Sequence, residues 1–183
     1  MRRFATVVIL ALALAACGAD GAAGPLGDTP VDVDAALRLI VSGDIESVGG
    51  DASGLDRSVT DFRAVVAEVS PEQVEQIATW HSVSFGEGDS APALVLSIIE
   101  YHDRDAAVRA MDLFEAGLAF VSMTMPVSER SAASAPSADT GAAIVLLKGV
   151  RLVSLQLPLD IGGTPLLDER QLLALAELVA TRL

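Results

Sequence analysis

The chain has 183 residues, 51% of them hydrophobic, and its 25 acidic residues outnumber 12 basic ones for a formal net charge of −13. This length is enough for one domain with a substantial core. The acidic balance argues against nucleic acid or an anionic lipid surface as a partner, because both repel a negatively charged protein. The single cysteine excludes an internal disulfide, so the fold depends on packing.

The N-terminus has the parts of an export signal. Arg2 and Arg3 are followed by an apolar stretch, Phe4 to Leu14, that is too short to span a bilayer. The next residues, Leu14-Ala15-Ala16-Cys17, resemble the lipobox of bacterial lipoproteins. That resemblance implies that residues 1–16 are cleaved as a signal peptide and that the Cys17 thiol is lipidated. Acyl chains on Cys17 would then anchor the protein to a membrane.

Two alternatives remain for this segment, an ordinary thiol after a conventional signal and an uncleaved anchor. Gly18 stands where enterobacterial lipoproteins kept in the inner membrane have Asp, so the resemblance implies the outer membrane, facing the periplasm, in a two-membrane bacterium. In a one-membrane organism the protein would lie on the outer face of the cell membrane. Residues 17–29, the lipidated cysteine and a Gly- and Ala-rich stretch, are predicted to form a flexible tether.

Residues 30–183 are predicted to form a single α+β domain that begins with helices. Thr29-Pro30 is a helix start signal, and the helix that follows would end at Gly43. We predict that three of its residues face the core: Leu37, Ile40 and Val41. Residues 43–58 resemble a loop because glycine interrupts any regular pattern.

Two more short helices are predicted before the sheet. The first spans residues 60–69, with Phe62 and Val66 among its inward-facing residues. The second is opened by the capping box Ser70-Pro71-Glu72-Gln73. Its predicted core positions are Val74, Ile77 and Ala78.

From Trp80 the hydrophobic period changes to two, which predicts strands. His81, Val83 and Phe85 alternate with serines, and after a Gly-rich turn the apolar run Ala93 to Tyr101 predicts a central strand paired with the first in a hairpin. Asp103 is then expected to cap a long helix. Its predicted apolar positions are Ala107, Met111, Phe114 and Leu118.

The C-terminal third repeats the order strand, strand, helix. Residues 128–140 are rich in Ser and Ala and are predicted to be an exposed loop. A hairpin of residues 142–147 and 150–157 follows, with Gly149 in the second turn position, and a last helix has an apolar stripe that includes Leu172 and Leu175. We therefore predict about four antiparallel strands in two ββα units, with helices packed on the sheet.

The histidines, His81 and His102, are the first candidates for chemistry. His102 with Asp103 or Asp105 has the residue types of a metal or acid–base site, but the same residues form a helix start. His81 is expected to be a half-buried, hydrogen-bonded residue of the sheet. An envelope enzyme or metal-dependent protein that uses both histidines and nearby acids is the alternative hypothesis for function.

Other catalytic signals are weak. Four acids in the predicted loop could gather around calcium, but the EF-hand spacing is absent. These acids are Asp44, Glu46, Asp51 and Asp56. The sequence contains no Gly-x-Ser-x-Gly elbow, Ser-x-x-Lys motif, phosphate-binding glycine loop or dinucleotide fingerprint. We therefore predict no cofactor, no metal and no catalytic residues.

The remaining candidate is an apolar segment, residues 116–127. Phe120, Met123 and Met125 within it are candidates for contact with a ligand or partner, because methionine adapts to irregular apolar surfaces. Core packing is the alternative for the same residues. The main hypothesis for function is a non-catalytic, membrane-anchored binding or interaction module that recognises an envelope protein or an apolar ligand.

Overall fold

A seven-stranded antiparallel sheet forms the centre of the fold in the computed structural model, which describes residues 33–63, 66, 74–88, 92–117, 120–134, 141–158 and 165–183. The strands are β1 (Asp56–Asp61), β2 (Ile77–Gly86), β3 (Leu94–Tyr101), β4 (Phe120–Met123), β5 (Arg130–Ser134), β6 (Ala143–Lys148) and β7 (Arg151–Gln156). Their order across the sheet is β1-β2-β3-β7-β6-β5-β4. The predicted α+β class with an antiparallel sheet is confirmed, and the sheet is larger than the four or so strands expected.

Helices cover both faces of this sheet. Those with defined bounds among the described residues are α1 (Val33–Leu39), α2 (Ser42–Ser47), α3 (Arg104–Gly117) and α4 (Glu169–Arg182). We call the face that packs against α1, α2 and α4 face 1, and the face that packs against α3 face 2. The pairs β2-β3 and β6-β7 are each followed by a helix, α3 and α4, and these two helices lie on opposite faces.

Alternation along the strands divides the core into two clusters. Face 1 contains mainly aliphatic side chains, with Leu96, Leu146 and Leu155 of the central strands packed against Leu172 and Leu175 of α4. These residues are at most 2% exposed. The final helix is therefore held in place by burial of the apolar stripe predicted for it.

The cluster on face 2 combines three alanines and two large residues of the helix with large strand residues. From α3 it buries Ala106, Ala107, Ala110, Met111 and Phe114. From the sheet it buries Trp80 and Tyr101 together with aliphatic residues such as Leu152. The ring of Phe62 lies 5.7 Å from the Trp80 ring, centroid to centroid, and extends this aromatic group.

The two predicted hairpins are present. β2 pairs with β3 and β6 pairs with β7, where Lys148 and Arg151 form the last pair before the turn. The turn consists of Gly149 and Val150, and Gly149 has a φ of +62°. The glycine therefore occupies the first turn position, as in a type II′ hairpin, and not the second position that we predicted.

Several predictions in the N-terminal half are wrong. Residues 43–58 are not a loop throughout, since α2 and the start of β1 lie within them. Val41 precedes α2 and is 37% exposed, so it does not face the core. Its backbone N–H donates a hydrogen bond to Asp44 Oδ2 over 2.8 Å. The apolar pattern did not indicate this contact at the start of α2.

The region before β2 also differs from the prediction. Thr60 and Asp61 belong to β1, and of the predicted helix only Phe62, Arg63 and Val66 are described, all helical. The capping box at residues 70–73 lies outside the described residues. The helix predicted after it is replaced by β2, which begins at Ile77, because pairing of Ile77 with Tyr101 extends the β2–β3 hairpin beyond the alternating segment.

The serine- and alanine-rich segment before β6 contains a strand. β5 pairs with β4 on one side and with β6 on the other, and its Ala132 is fully buried. The predicted exposed loop at 128–140 is therefore wrong for residues 130–134, while residues 135–140 lie outside the description. Leu118, predicted for the helix before β4, also lies outside it.

Candidate functional site

The residues from His102 to Asp105 join β3 to α3. Asp103 Oδ1 accepts a hydrogen bond from the Ala106 N–H over 2.7 Å, so its predicted role as a helix cap is confirmed. His102 and Asp105 are exposed, and the His102 backbone N–H donates to the Gln76 carbonyl. Tyr101 is buried, and this burial raises the pKa of its hydroxyl. The segment is thus organised around the start of the helix.

The two histidines are separated along the β2–β3 hairpin. His81 is paired with Ile98, whereas His102 lies past the end of β3. Three residues lie between Ile98 and His102, and four rises along the strand amount to a backbone distance of about 13 Å. Among the described residues, no group of three or more His, Cys, Asp or Glu side chains is placed to hold a metal ion.

His81 lies near the middle of β2, on face 1 with Val83 and Phe85. Its side chain is half-buried, as expected. Within the described part of the chain, both ring nitrogens are buried and neither has a hydrogen-bond partner. The prediction of a hydrogen bond to the His81 ring is therefore wrong for the described residues. The nearby side chains of Ile98 and Val83 are aliphatic and offer no acceptor.

Charged groups surround this imidazole at longer range. Asp61 is its cross-strand partner on β1, and Glu100 and Arg151 follow on β3 and β7. Burial lowers the pKa of His81 because it disfavours the charged ring. The carboxylates of Asp61 and Glu100 oppose this decrease, and Arg151 adds to it. His81 is the described residue with the clearest unmet hydrogen-bonding capacity, which makes it the candidate site.

Glu100 and Arg151 link this position to the C-terminal helix. Arg151 Nε donates to Glu100 Oε2 over 2.8 Å, and Arg151 Nη1 donates to the Leu183 carbonyl over 3.1 Å. Lys148 Nζ donates to the Ala180 carbonyl over 3.1 Å. Two strand cations thus satisfy carbonyls at the negative end of α4.

The four acids proposed around calcium have separate roles. Both oxygens of Asp44 accept from Arg182, at 2.6 and 2.7 Å, while Asp51 accepts from Ser53 within its own turn. Glu46 is exposed on α2, and Asp56 is exposed at the start of β1. The Asp44 carboxylate is thus already bound by the guanidinium of Arg182.

The apolar candidates occupy β4 and the turn after it. Met123 is half-buried, and its carbonyl accepts from the Ser131 hydroxyl over 2.9 Å. Met125 is only 3% exposed and belongs to the face 1 core. Phe120 begins β4, and its side chain is outside the description. The structure therefore places Met125 in the interior, and ligand contact by these residues stays a prediction.

A row of buried serines was not indicated by the sequence. Ser82, Ser97 and Ser154 are paired side by side on β2, β3 and β7, facing face 2. Trp80 Nε1 donates to Ser97 Oγ over 3.3 Å, and Gln156 Nε2 donates to Ser154 Oγ over 3.1 Å. Because His81 points to face 1, the adjacent Ser82 cannot use it as a general base.

Ion pairs between distant segments were also missed. Arg182 of α4 joins Asp44 of α2, 138 residues away in sequence, and also donates to the Leu39 carbonyl. Arg130 of β5 pairs with Asp112 and Glu115 of α3. No local spacing signals such partners, because each pair depends on how the helices dock on the sheet.

Comparison with known proteins gives no family for this chain. No protein-family model matches it, and no curated protein is significantly similar. None of the helices in the described residues has the length and apolar character needed to cross a membrane. The lipobox and the tether lie outside the described residues.

Proposed function

We propose that this protein is a bacterial envelope lipoprotein, anchored through lipid on Cys17, whose domain is a non-catalytic interaction module for a protein partner. The observation that carries the proposal is the sequence Leu14-Ala15-Ala16-Cys17 after an export-type signal. Two or three acyl chains supply stable anchoring, since each buried CH₂ contributes about 0.8 kcal/mol. The anchor places the domain outside the cytoplasm.

The non-catalytic part of the proposal is supported by how the charged side chains are used. Asp44, Glu100 and Glu129 each bind an arginine, and Arg130 binds two carboxylates of α3. Active sites instead bring titratable groups together in a cleft. His81 and His102, which the enzyme alternative requires, lie apart on the hairpin.

A protein partner is favoured over an apolar ligand held in the interior. An apolar ligand between sheet and helix would have to displace side chains such as Leu146 and Leu175, which are fully buried. Exposed acidic side chains outnumber exposed basic ones among the described residues. A partner with a basic surface would be attracted by this charge, and its association would weaken as salt screens it.

The anchor is tested by metabolic labelling of the full-length protein with a clickable fatty acid, followed by fractionation. We expect label and membrane association in the wild type and in the control Gly18→Ala, which retains the cysteine. Cys17→Ala should lose the label. Labelling that persists in Cys17→Ala would show that the lipobox interpretation is wrong.

The interaction module is tested by photo-crosslinking in intact cells. A photoreactive residue is placed at exposed sites on each side of the domain, Leu113 on α3 and Glu177 on α4. We expect one discrete adduct from one of these sites, with a yield that falls as external salt rises and when Cys17 is replaced. Equal, salt-independent crosslinking from both sites, or none, would contradict a specific partner.

A further inference from the structure

His81 is buried in a way that is unfavourable for either protonation state. A neutral imidazole carries one N–H, and here neither ring nitrogen has a hydrogen-bond partner within the described part of the chain. A protonated imidazole carries two N–H groups and a charge, which burial disfavours more strongly. The His81 side chain therefore contributes no hydrogen bond to stability within the described part of the chain, although its backbone belongs to a paired strand of the sheet.

Charged groups face His81 from several packed elements. Asp61 faces it from β1, and Glu100 and Arg151 lie close on β3 and β7. α1 also packs against β2, and its charged residues Asp34 and Arg38 are exposed to solvent. Glu100 is bound by Arg151, so a protonated His81 and Arg151 would compete for the same carboxylate.

This competition has a structural consequence at α4. Arg151 uses one nitrogen for Glu100 and another for the Leu183 carbonyl, so its position depends on the ion pair. A shift of Glu100 toward His81 would remove the partner that orients this guanidinium. The last turn of α4 would then lose one of the two strand cations that bind its carbonyls.

We propose that His81 is a proton-triggered switch, in which its protonation draws Glu100 away from Arg151 and loosens the end of α4 from the sheet. The sign follows from linkage. The buried, unpartnered ring binds a proton less readily than a ring paired with a carboxylate, so acidification favours the loosened state, in which the protonated ring is paired with Glu100. The loosened state is therefore populated as the pH falls below the ordinary histidine range near 6.5.

The test is hydrogen–deuterium exchange of the full-length protein in detergent at pH 7.5 and 5.5, corrected for the intrinsic effect of pH on exchange. We expect protection of the last turn of α4 to fall about tenfold at pH 5.5 in the wild type and in the control His102→Gln. In His81→Gln, which cannot be protonated, protection should be the same at both pH values. Loss of protection that persists in His81→Gln, or none in the wild type, would overturn the proposal.

A second measurement avoids any question of whether the variant folds. The ring protons of the two histidines in the wild-type chain are followed by NMR as the pH is lowered. We expect His81 to titrate below the ordinary histidine range near 6.5, with the Arg151 side-chain signals shifting at the His81 midpoint. Titration of His81 within or above that range, or Arg151 signals that do not respond, would contradict the switch.

Discussion

Face 1 of the sheet is covered by α4, which buries Leu172, Leu175 and Val179, whereas face 2 is covered by α3, which buries Ala106, Ala107 and Ala110. Small side chains let a helix backbone approach a sheet closely, and the volume on face 2 is filled by Trp80 and Tyr101 of the strands together with Met111 and Phe114 of α3. On face 1 the leucines and valine of the helix pack against large aliphatic side chains of the strands, such as Leu96 and Leu146.

The difference predicts opposite sensitivities for the two helices. Truncating a large residue of α4 should leave a cavity that the sheet cannot fill. Enlarging a small residue of α3 should push that helix away from the aromatic side chains beneath it. The two faces can therefore be distinguished with one substitution on each, a large-to-small change in a buried residue of α4 and a small-to-large change in a buried residue of α3.

The largest effect is expected for Leu175→Ala on α4. Leu175 is fully buried, so its truncation should lower the free energy of unfolding by about 2–5 kcal/mol. Chemical denaturation measures this loss. The control Leu113→Ala removes the same atoms from a residue that is 46% exposed, and should cost less than about 0.5 kcal/mol. Similar losses for both variants would mean that α4 is not packed as described.

Ala107→Leu on α3 is the reverse change. Ala107 is fully buried beneath the helix, and a larger side chain there should lower the free energy of unfolding by about 1–3 kcal/mol through displacement of neighbours. Ala116→Leu makes the same substitution at an exposed position of the same helix and should be nearly neutral. A neutral Ala107→Leu variant would show that face 2 has unfilled space.

The parts of the fold that the sequence predicted well are those with strong local patterns. The alternation at Val83 and Phe85, the cap at Asp103 and the turn at Gly149 each depend on residues close together in the chain. They correctly predicted the β2–β3 hairpin, α3 and the β6–β7 hairpin, which contribute nearly all of the face 2 core and the strand residues at the centre of the face 1 core.

The strands that were missed have weak patterns because they lie toward the sides of the sheet. β1, Asp56–Asp61, has an exposed first half, and its charged residues are typical of an edge strand. β5, Arg130–Ser134, contains two serines and two alanines, and Ala132 is buried in the face 2 core among residues of α3 and of other strands. The missing hydrogen bonds of His81 were equally unpredictable, since they depend on which side chains lie across the strands.

The ion pair between Arg182 of α4 and Asp44 of α2 allows a further test of how the helices of face 1 are held together. Arg182→Met keeps most of the apolar stem but leaves the mostly buried Asp44 carboxylate without its partner. We expect the free energy of unfolding to fall by about 1–2 kcal/mol at pH 7. Arg170→Met, in the exposed first turn of the same helix, is the control and should have little effect. Equal stability of the two variants would mean that the pair contributes nothing.

The same pair predicts a response to acid. Hydrogen bonds from Arg182 lower the pKa of Asp44 below its usual value near 4. The stabilisation is therefore complete above that usual value and is lost as the pH falls through the lowered pKa. Thermal unfolding between pH 5 and 2.5 should show a steeper loss of stability in the wild type than in Arg182→Met. Parallel curves would rule out this contribution.

The smallest change in stability is expected for His81→Leu, which tests whether the imidazole on face 1 is as unpartnered at neutral pH as the structure shows. Removing a polar group with no hydrogen-bond partner should leave stability at pH 7.5 unchanged or raise it by up to about 1 kcal/mol, since an apolar side chain fits the aliphatic neighbours. His102→Leu is the exposed control. A loss of more than about 1 kcal/mol in His81→Leu would show that the ring nitrogens are hydrogen-bonded in solution, in which case face 1 would be stabilised by a polar contact as face 2 is by Trp80 and Ser97.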